Sequence, residues 1–185
     1  MASLRGSLLV ADPTLADPNF HRTVVYLIDH GDQGALGVVL NRPGAVPVRD
    51  VVPTWAPYVS DPATLFLGGP VSERAAICLG RCPAGTESAL WTPVDPGSTV
   101  GVVDLHGDPL DAPSGVEDLR IFGGYAGWSA GQLEDELEVG GWLVVDADAG
   151  DPFTGDPAGL WRSVLGRQRG PARRFVAYPS DPSLN

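Results

Sequence analysis

Short apolar runs rich in β-branched residues recur along the chain, and stretches rich in Gly, Pro and Asp separate them. Runs of this length and composition predict β-strands. Eight such runs cover residues 6–11, 23–28, 35–40, 65–67, 75–79, 100–103, 119–122 and 142–145. The turn-forming sequence at 29–34 predicts a hairpin between the second and third strands. Eight strands with few helices favour an α+β fold built on one large, mixed and curled sheet.

Three segments have helical features. Residues 130–138 are preceded by Ser129, which forms a capping box with Gln132, and they contain two leucines spaced four apart as a buried stripe. The glycine pair at 140–141 is expected to end this helix. The other two predicted helices cover residues 158–165 and 48–59.

The length and composition indicate one domain. The chain has 185 residues, of which 43% are hydrophobic, and it contains no apolar run long enough for a membrane helix and no signal-peptide pattern. We therefore expect a single cytoplasmic domain over residues 1–185, with a core at about 6–178 and a short C-terminal tail.

The charge balance restricts the possible partners. The 12 basic residues are all Arg, against 23 acidic residues, and the net charge is −11. Such a field disfavours direct binding to nucleic acid or to anionic lipid, and no membrane association is expected. Five of the arginines lie between residues 162 and 174. A solvated basic face explains them, and local nucleic-acid contact is the alternative.

Residues 127–131 match the G-x-S-x-G pattern of serine hydrolases. In that fold the catalytic His follows the Ser along the chain, whereas His21, His30 and His106 all precede Ser129. Since Ser129 is also predicted to be a helix cap, the sequence disfavours hydrolase chemistry at this position.

No sequence pattern indicates a metal or a cofactor. The Asp-rich stretch 146–151 lacks the spacing of a calcium loop, and Asp104, His106 and Asp108 fit a polar turn better than a divalent-cation site. Cys78 and Cys82 have neither the C-x-x-C spacing nor a second pair that would complete a zinc site. A chain without Lys has no phosphate-binding loop of the Gly-Lys-Ser/Thr type.

Clusters of glycine and polar residues follow several predicted strands, at 12–22, 41–43, 67–71 and 123–128. Paired glycines permit positive φ or close approach of two backbones. In these clusters and the runs beside them the sequence resembles the YqgE/AlgH family. The matching segments are 6–11, 17–20, 22–27, 29–30, 34–43, 68–71, 124–128, 131–134, 142–143 and 161–162.

The resemblance implies an α+β fold with a mixed sheet curled toward a flattened barrel, in a bacterial cytosolic protein whose activity is not established. The family name suggests a link to transcriptional regulation. Two positions depart from the pattern. Ile28 stands where many members have Cys, which argues against a redox role there, and Gly80 replaces a frequent His. The segment 175–185 is similar to actinobacterial members.

We predict that the glycine and polar clusters meet at one groove that binds a ligand or a partner. Aromatic walls with a few convergent polar groups are typical of sites for small molecules or peptides. The candidate residues are Asp17, Phe20, Arg22, Asn41, Arg42, Gly68, Gly69, Tyr125, Trp128, Gln132 and Glu136. An alternative reading is purely structural, with Arg22 and Arg42 paired to Asp17 and Glu136 and the aromatic rings packed.

Two classes of function follow from this groove. The first is a non-catalytic regulatory protein that binds an unidentified small molecule or protein. The second is an enzyme that holds a small anionic substrate on Arg, with Asp17, His30 or Glu136 as acid or base. The oligomeric state, the ligand and any reaction stay open at the level of the sequence.

Overall fold

The computed structural model describes residues 3–15 and 17–178. They form ten strands: β1 Ser7–Ala11, β2 Val24–Gly31, β3 Gly34–Val39, β4 Pro43–Pro47, β5 Thr64–Leu67, β6 Val71–Arg81, β7 Trp91–Pro93, β8 Val100–Val103, β9 Asp118–Ser129 and β10 Trp142–Asp146. The α-helices are α1 Val48–Val51, α2 Gln132–Glu138 and α3 Leu160–Gly166. Short 3₁₀ helices cover Ala56–Tyr58, Pro109–Asp111, Asp151–Phe153 and Pro171–Ala177. No helix within the described ranges is long and apolar enough to cross a membrane.

The strands form one curled sheet in the order β10-β1-β2-β3-β9-β6-β8-β7. Neighbours along this path are antiparallel, whereas β5 pairs with β9 in parallel and carries β4 on its other side. The α+β prediction and the mixed, curled sheet are therefore confirmed. The predicted hairpin is also confirmed, because β2 and β3 are antiparallel and Gly31 pairs with Gly34.

Both faces of the sheet are buried around β1 and β2. Leu8 and Val10 of β1 pack with Trp161 of α3, whereas Leu9 of the same strand packs on the opposite face with Leu133 of α2. Burial on both faces explains why the sequences of these strands are continuously apolar and do not alternate between apolar and polar residues. A third cluster, which includes Trp55 and Trp91, fills the end of the sheet near β6 and β8.

Two strands were not predicted. β4 contains proline at both ends, and β7 has only three residues and ends at a proline. Proline cannot donate to a strand ladder and is tolerated at sheet edges. In agreement, β4 pairs only with β5 and β7 only with β8 among the described strands.

The prediction that the glycine-rich segment 123–128 follows a strand was wrong, because this segment is part of the twelve-residue β9. The capping prediction for Ser129 was also wrong. Ser129 is the last residue of β9, where it pairs with Gly34, and α2 begins at Gln132 after a left-handed Gly131. Half of the expected capping box does form, because Gln132 Oε1 accepts the Ser129 N–H at 3.1 Å.

The predicted helix at 158–165 is confirmed as α3, with bounds shifted by one to two residues. The predicted helix at 48–59 is only α1 and a separate 3₁₀ turn. Pro53 and Pro57 prevent one continuous helix there, since each removes a backbone donor and clashes with the preceding turn.

Arg120 of β9 is almost fully buried and connects three segments of the chain. Its guanidinium donates to the carbonyl oxygens of Pro152 (3.2 Å), Thr154 (2.8 Å) and Asp61 (2.5 Å), and it lies 4.3 Å over the Phe66 ring. Desolvation lowers the pKa of Arg120 to about 10. The side chain therefore acts as an internal bridge between the loops at 61 and 152–154.

Replacing Arg120 with Met should lower the free energy of unfolding by roughly 3–5 kcal/mol, because three carbonyl oxygens lose their charged donor. Urea denaturation measures the change. Arg49→Met is the matched control, since Arg49 is exposed on α1. Equal stabilities for the two variants would contradict the bridging role.

Candidate functional site

The loop between β1 and β2 contacts both a group of aromatic rings near α2 and the side chain of Arg42. Asp17 shapes it, because its side chain accepts the Asn19 N–H at 2.8 Å and its carbonyl oxygen accepts the N–H groups of Phe20 and His21. These are the bonds of a tight Asx turn, which explains the Asp-Pro-Asn sequence at this point.

Phe20 packs into an aromatic cluster under α2. Its ring lies 6.3 Å from Trp128 and 5.4 Å from Trp142, and the two indoles are 5.9 Å apart, measured between ring centroids. Both tryptophans are buried. Trp142 was not among the predicted candidates. It is the first residue of β10 and directly follows the Gly140–Gly141 pair, which lies just after α2.

Glu136 is the acceptor for both indoles. Its Oε2 accepts the Nε1–H of Trp128 at 2.9 Å and that of Trp142 at 2.8 Å, while its Oε1 accepts from Gln132 Nε2 at 2.9 Å. The predicted shared helix face of Gln132 and Glu136 is present in the structure. Gln132 binds Glu136, and Glu136 in turn binds the two indoles of the aromatic cluster.

Asn41 and Arg22 hold main-chain segments together. Asn41 accepts the Val24 N–H at 3.0 Å and donates to the Arg22 carbonyl at 2.9 Å. Arg22 has a positive φ of 54°, lies 4.6 Å over the Trp161 ring and donates to the Tyr178 carbonyl at 2.8 Å. Desolvation, with a smaller contribution from Arg162, lowers the pKa of Arg22.

Arg22 therefore lies against α3, on the opposite side of the sheet from the aromatic cluster. Tyr125 packs against that same α3-side core cluster. These two candidates are separated from Phe20 and Trp128, and the predicted groove is not one continuous surface.

Arg42 follows β3 and is half-buried. Its Nη2 donates to the carbonyl oxygens of Pro18 at 3.0 Å and His21 at 3.4 Å. Burial lowers the pKa of Arg42, and the Asp17 carboxylate acts in the opposite direction. The alternative interpretation paired Arg22 and Arg42 with Asp17 and Glu136, and among the described residues these ion pairs do not form. Arg42 donates to carbonyl oxygens instead, and Glu136 accepts from two indoles.

Arg42 lines a cavity of about 300 Å³, which we call the Arg42 cavity. The lining residues are Asn19, Val39, Arg42, Leu65, Leu67, Gly69, Pro70, Glu73 and Gly123. Only Arg42 and Gly69 come from the predicted set. The others include Asn19, which lies inside the predicted loop, and Glu73, which follows the glycine pair by four residues and gave no sequence signal.

Glycines form one side of this cavity because backbones cross there. A Cβ at Gly68 would overlap the Gly124 carbonyl, and a Cβ at Gly69 would overlap the Tyr125 carbonyl. Gly68 also donates to the Gly123 carbonyl at 2.8 Å. The sequence-based interpretation of the paired glycines as points of close approach is thus confirmed for 68–69.

The four segments near residues 20, 42, 69 and 128 are neighbours in space. Phe20 contacts Trp128, the Pro18 carbonyl binds Arg42, and Arg42 and Gly69 line the same cavity. The chain thus brings the predicted segments together, but it divides their side chains between a packed aromatic cluster and the Arg42 cavity.

His30 lies at the other end of β3 from Arg42, because it pairs with Ala35 near the start of that strand. Its Nδ1 accepts the Leu4 N–H at 3.1 Å, so the ring proton lies on Nε2, which donates to Glu134 at 3.0 Å. A hydrogen bond from its own backbone N–H holds the pKa of Glu134 below its usual range against an opposing desolvation, and the contact to His30 lowers it further.

The remaining candidate groups have local roles. Ser129 Oγ contacts Gln132 Oε1 at 3.2 Å, and Asp104 accepts from the backbone and ring of His106. Burial raises the pKa of the Cys78 thiol. Across residues 3–15 and 17–178, no group of three or more His, Cys, Asp or Glu side chains is placed to hold a metal ion.

Replacing Glu136 with Leu should destabilise the fold by roughly 2–4 kcal/mol, because two buried indole N–H groups lose their acceptor. Glu136→Gln keeps an acceptor oxygen and should cost clearly less. Denaturation followed by tryptophan fluorescence measures both, and Glu138→Leu is the control on an exposed position of the same helix. A loss for Glu136→Leu no greater than for Glu138→Leu would contradict the role of Glu136.

Comparison with known proteins places this chain among bacterial relatives. The profile of the AlgH-like family matches residues 8–173. A UPF0301 protein of Streptomyces coelicolor is 48% identical over 100% of this chain and 97% of its own length. A UPF0301 protein of Mycobacterium tuberculosis is 43% identical over 97% of this chain and 90% of its own length.

Two solved structures share the fold. A crystal structure of a Corynebacterium diphtheriae protein has a TM-score of 0.89 at 29% identity and covers 96% of this chain and 93% of its own. The solution structure of the AlgH protein from Pseudomonas aeruginosa has a TM-score of 0.69 at 31% identity, over 97% of this chain and 96% of its own. The chain therefore belongs to the AlgH-like, or UPF0301, family, whose biochemical function is uncharacterised.

Proposed function

We propose that the protein is a non-catalytic binding protein whose small ligand has an anionic group held by Arg42 in the Arg42 cavity. The observation that carries this proposal is the way in which Arg42 is held. Nη2 is fixed by two carbonyl oxygens, whereas Nε and Nη1 have no hydrogen-bond acceptor among residues 3–15 and 17–178.

A guanidinium fixed in this way is suited to binding. Its five donors form a planar fork that matches a carboxylate or phosphate, and anchoring one nitrogen reduces the conformational entropy lost when a ligand binds. Val39, Leu65 and Pro70 supply an apolar part of the lining. These features favour a small ligand that carries both an anionic group and an apolar portion.

Catalysis is less well supported. An enzyme that holds an anionic substrate on Arg42 needs an acid or base beside it. His30 is at the opposite end of β3 and is already paired with Glu134, Glu136 is engaged by two indoles, and Asp17 shapes a turn. The three acid or base candidates predicted from the sequence are therefore engaged elsewhere, which favours binding over proton transfer.

We further propose that this binding has a regulatory role in the cytoplasm. The link to transcription is the one that the name of the AlgH family suggests. Because the net charge of −11 repels phosphate backbones, we propose that any such regulation acts through a protein partner and not through direct contact with DNA.

A panel of small carboxylates, amino acids among them, and organic phosphates, tested by thermal shift, examines the binding role. At a concentration ten times its Kd, a ligand adds about 1.4 kcal/mol and should raise the Tm by roughly 3–6 °C. Arg42→Gln should weaken that ligand at least about tenfold, because a charge-assisted bond is lost.

Arg49→Gln is the matched control, because it removes the same charge from the exposed surface of α1. The proposal fails if no member of the panel raises the Tm of the wild-type protein. It also fails if ligand-induced shifts are the same in Arg42→Gln as in Arg49→Gln.

A further inference from the structure

The Arg42 cavity is lined by one cation and one anion that are not paired with each other. Glu73, a residue of β6, lines the same cavity as Arg42. In the described part of the chain, neither side chain takes part in an ion pair, and Glu73 accepts no hydrogen bond.

This arrangement differs from that of most other arginines near carboxylates in the molecule. Arg5, Arg81 and Arg167 each contact at least one carboxylate directly. In the Arg42 cavity the two opposite charges form no ion pair, and apolar side chains and Gly123 complete the lining. Separated opposite charges around an apolar floor are complementary to a ligand that carries both charges itself.

We propose that the ligand of the Arg42 cavity is a small aliphatic zwitterion of the amino-acid type, with its carboxylate on Arg42 and its ammonium on Glu73. This inference rests on the proposed function and specifies the class of ligand. The aliphatic portion contacts Val39, Leu65 and Leu67, of which Leu67 is 54% exposed.

Charge and size both select for this class. A simple anion gains from Arg42 but is repelled by Glu73, whereas a zwitterion gains from both groups. A volume of about 300 Å³ is at the small end of ligand pockets and suits a molecule the size of a single amino acid. A side chain at Gly123 would meet Leu65 at 3.0 Å and the Glu73 carbonyl at 3.3 Å, so the lining is closely packed at this position.

The test compares three probes that share the leucine side chain and differ in the charges they carry, titrated by isothermal calorimetry into the full chain. L-leucine carries both charges, N-acetyl-L-leucine lacks the ammonium, and L-leucinamide lacks the carboxylate. Wild-type protein should bind leucine at least about tenfold more tightly than either analogue, since each analogue loses one charge-assisted contact.

Two substitutions assign the contacts. Glu73→Gln should remove the preference for leucine over N-acetyl-leucine, and Arg42→Gln should remove the preference for leucine over leucinamide. Glu87→Gln and Arg49→Gln, which neutralise exposed charges outside the cavity lining, are the matched controls and should leave all three affinities unchanged.

The outcomes separate this inference from the proposed function. If N-acetyl-leucine binds as tightly as leucine and Arg42→Gln weakens both, the cavity binds anions and the zwitterion inference is overturned. If none of the three probes binds at millimolar concentration, the aliphatic zwitterion is likewise excluded, while the carboxylate and phosphate panel decides the proposed function independently.

Discussion

The crossing of backbones at Gly68 and Gly69 determines where the candidate site lies. The chain leaves β5, passes against β9 with no room for a side chain, and enters β6 after three intervening residues. Hydrogen bonds from Val39 to Gly68, from Leu67 to Arg42 and from Gly68 to Gly123, each 2.8 Å long, join three segments at this point. Arg42 and Glu73 reach the same cavity because this contact holds β3, β5 and β6 in place around β9.

Most polar side chains predicted for the site form hydrogen bonds with other groups of the protein. Glu136 accepts two buried indole N–H groups, and Asn41 joins the backbones of Val24 and Arg22. Buried donors that lack an acceptor are costly, so these residues are required by the fold whatever the function is. Arg42 differs because only part of its guanidinium is used in this way.

The strands that form the centre of the sheet could be predicted from the sequence, because β1, β2 and β3 are continuous apolar runs with strong β propensity. β4 could not, since its prolines are typical of turns and only its edge position makes them acceptable. The extension of β9 through residues 123–128 was missed because glycine has no intrinsic preference for strands. Pairing with β3 and β6 supplies the conformation that the local sequence does not.

The candidate site was predictable only in outline for the same reason. The glycine pair and Arg42 mark the place, but the direction of Arg22 depends on Trp161, which lies far away in sequence. Glu73 joins the cavity through the irregular pairing of β6 with β9 between Val71 and Ala76, a feature with no local sequence signal. Long-range packing therefore decides which of the conspicuous residues line the cavity.

The most direct measurement is an NMR titration of ¹⁵N-labelled protein with L-leucine, following the arginine Nε–H signals together with the backbone amides. Binding at the Arg42 cavity should shift the Arg42 Nε–H and the amides of Gly69, Glu73 and Gly123 in a saturable manner. Saturable shifts confined to the arginines between 162 and 174, with Arg42 unchanged, would contradict the account.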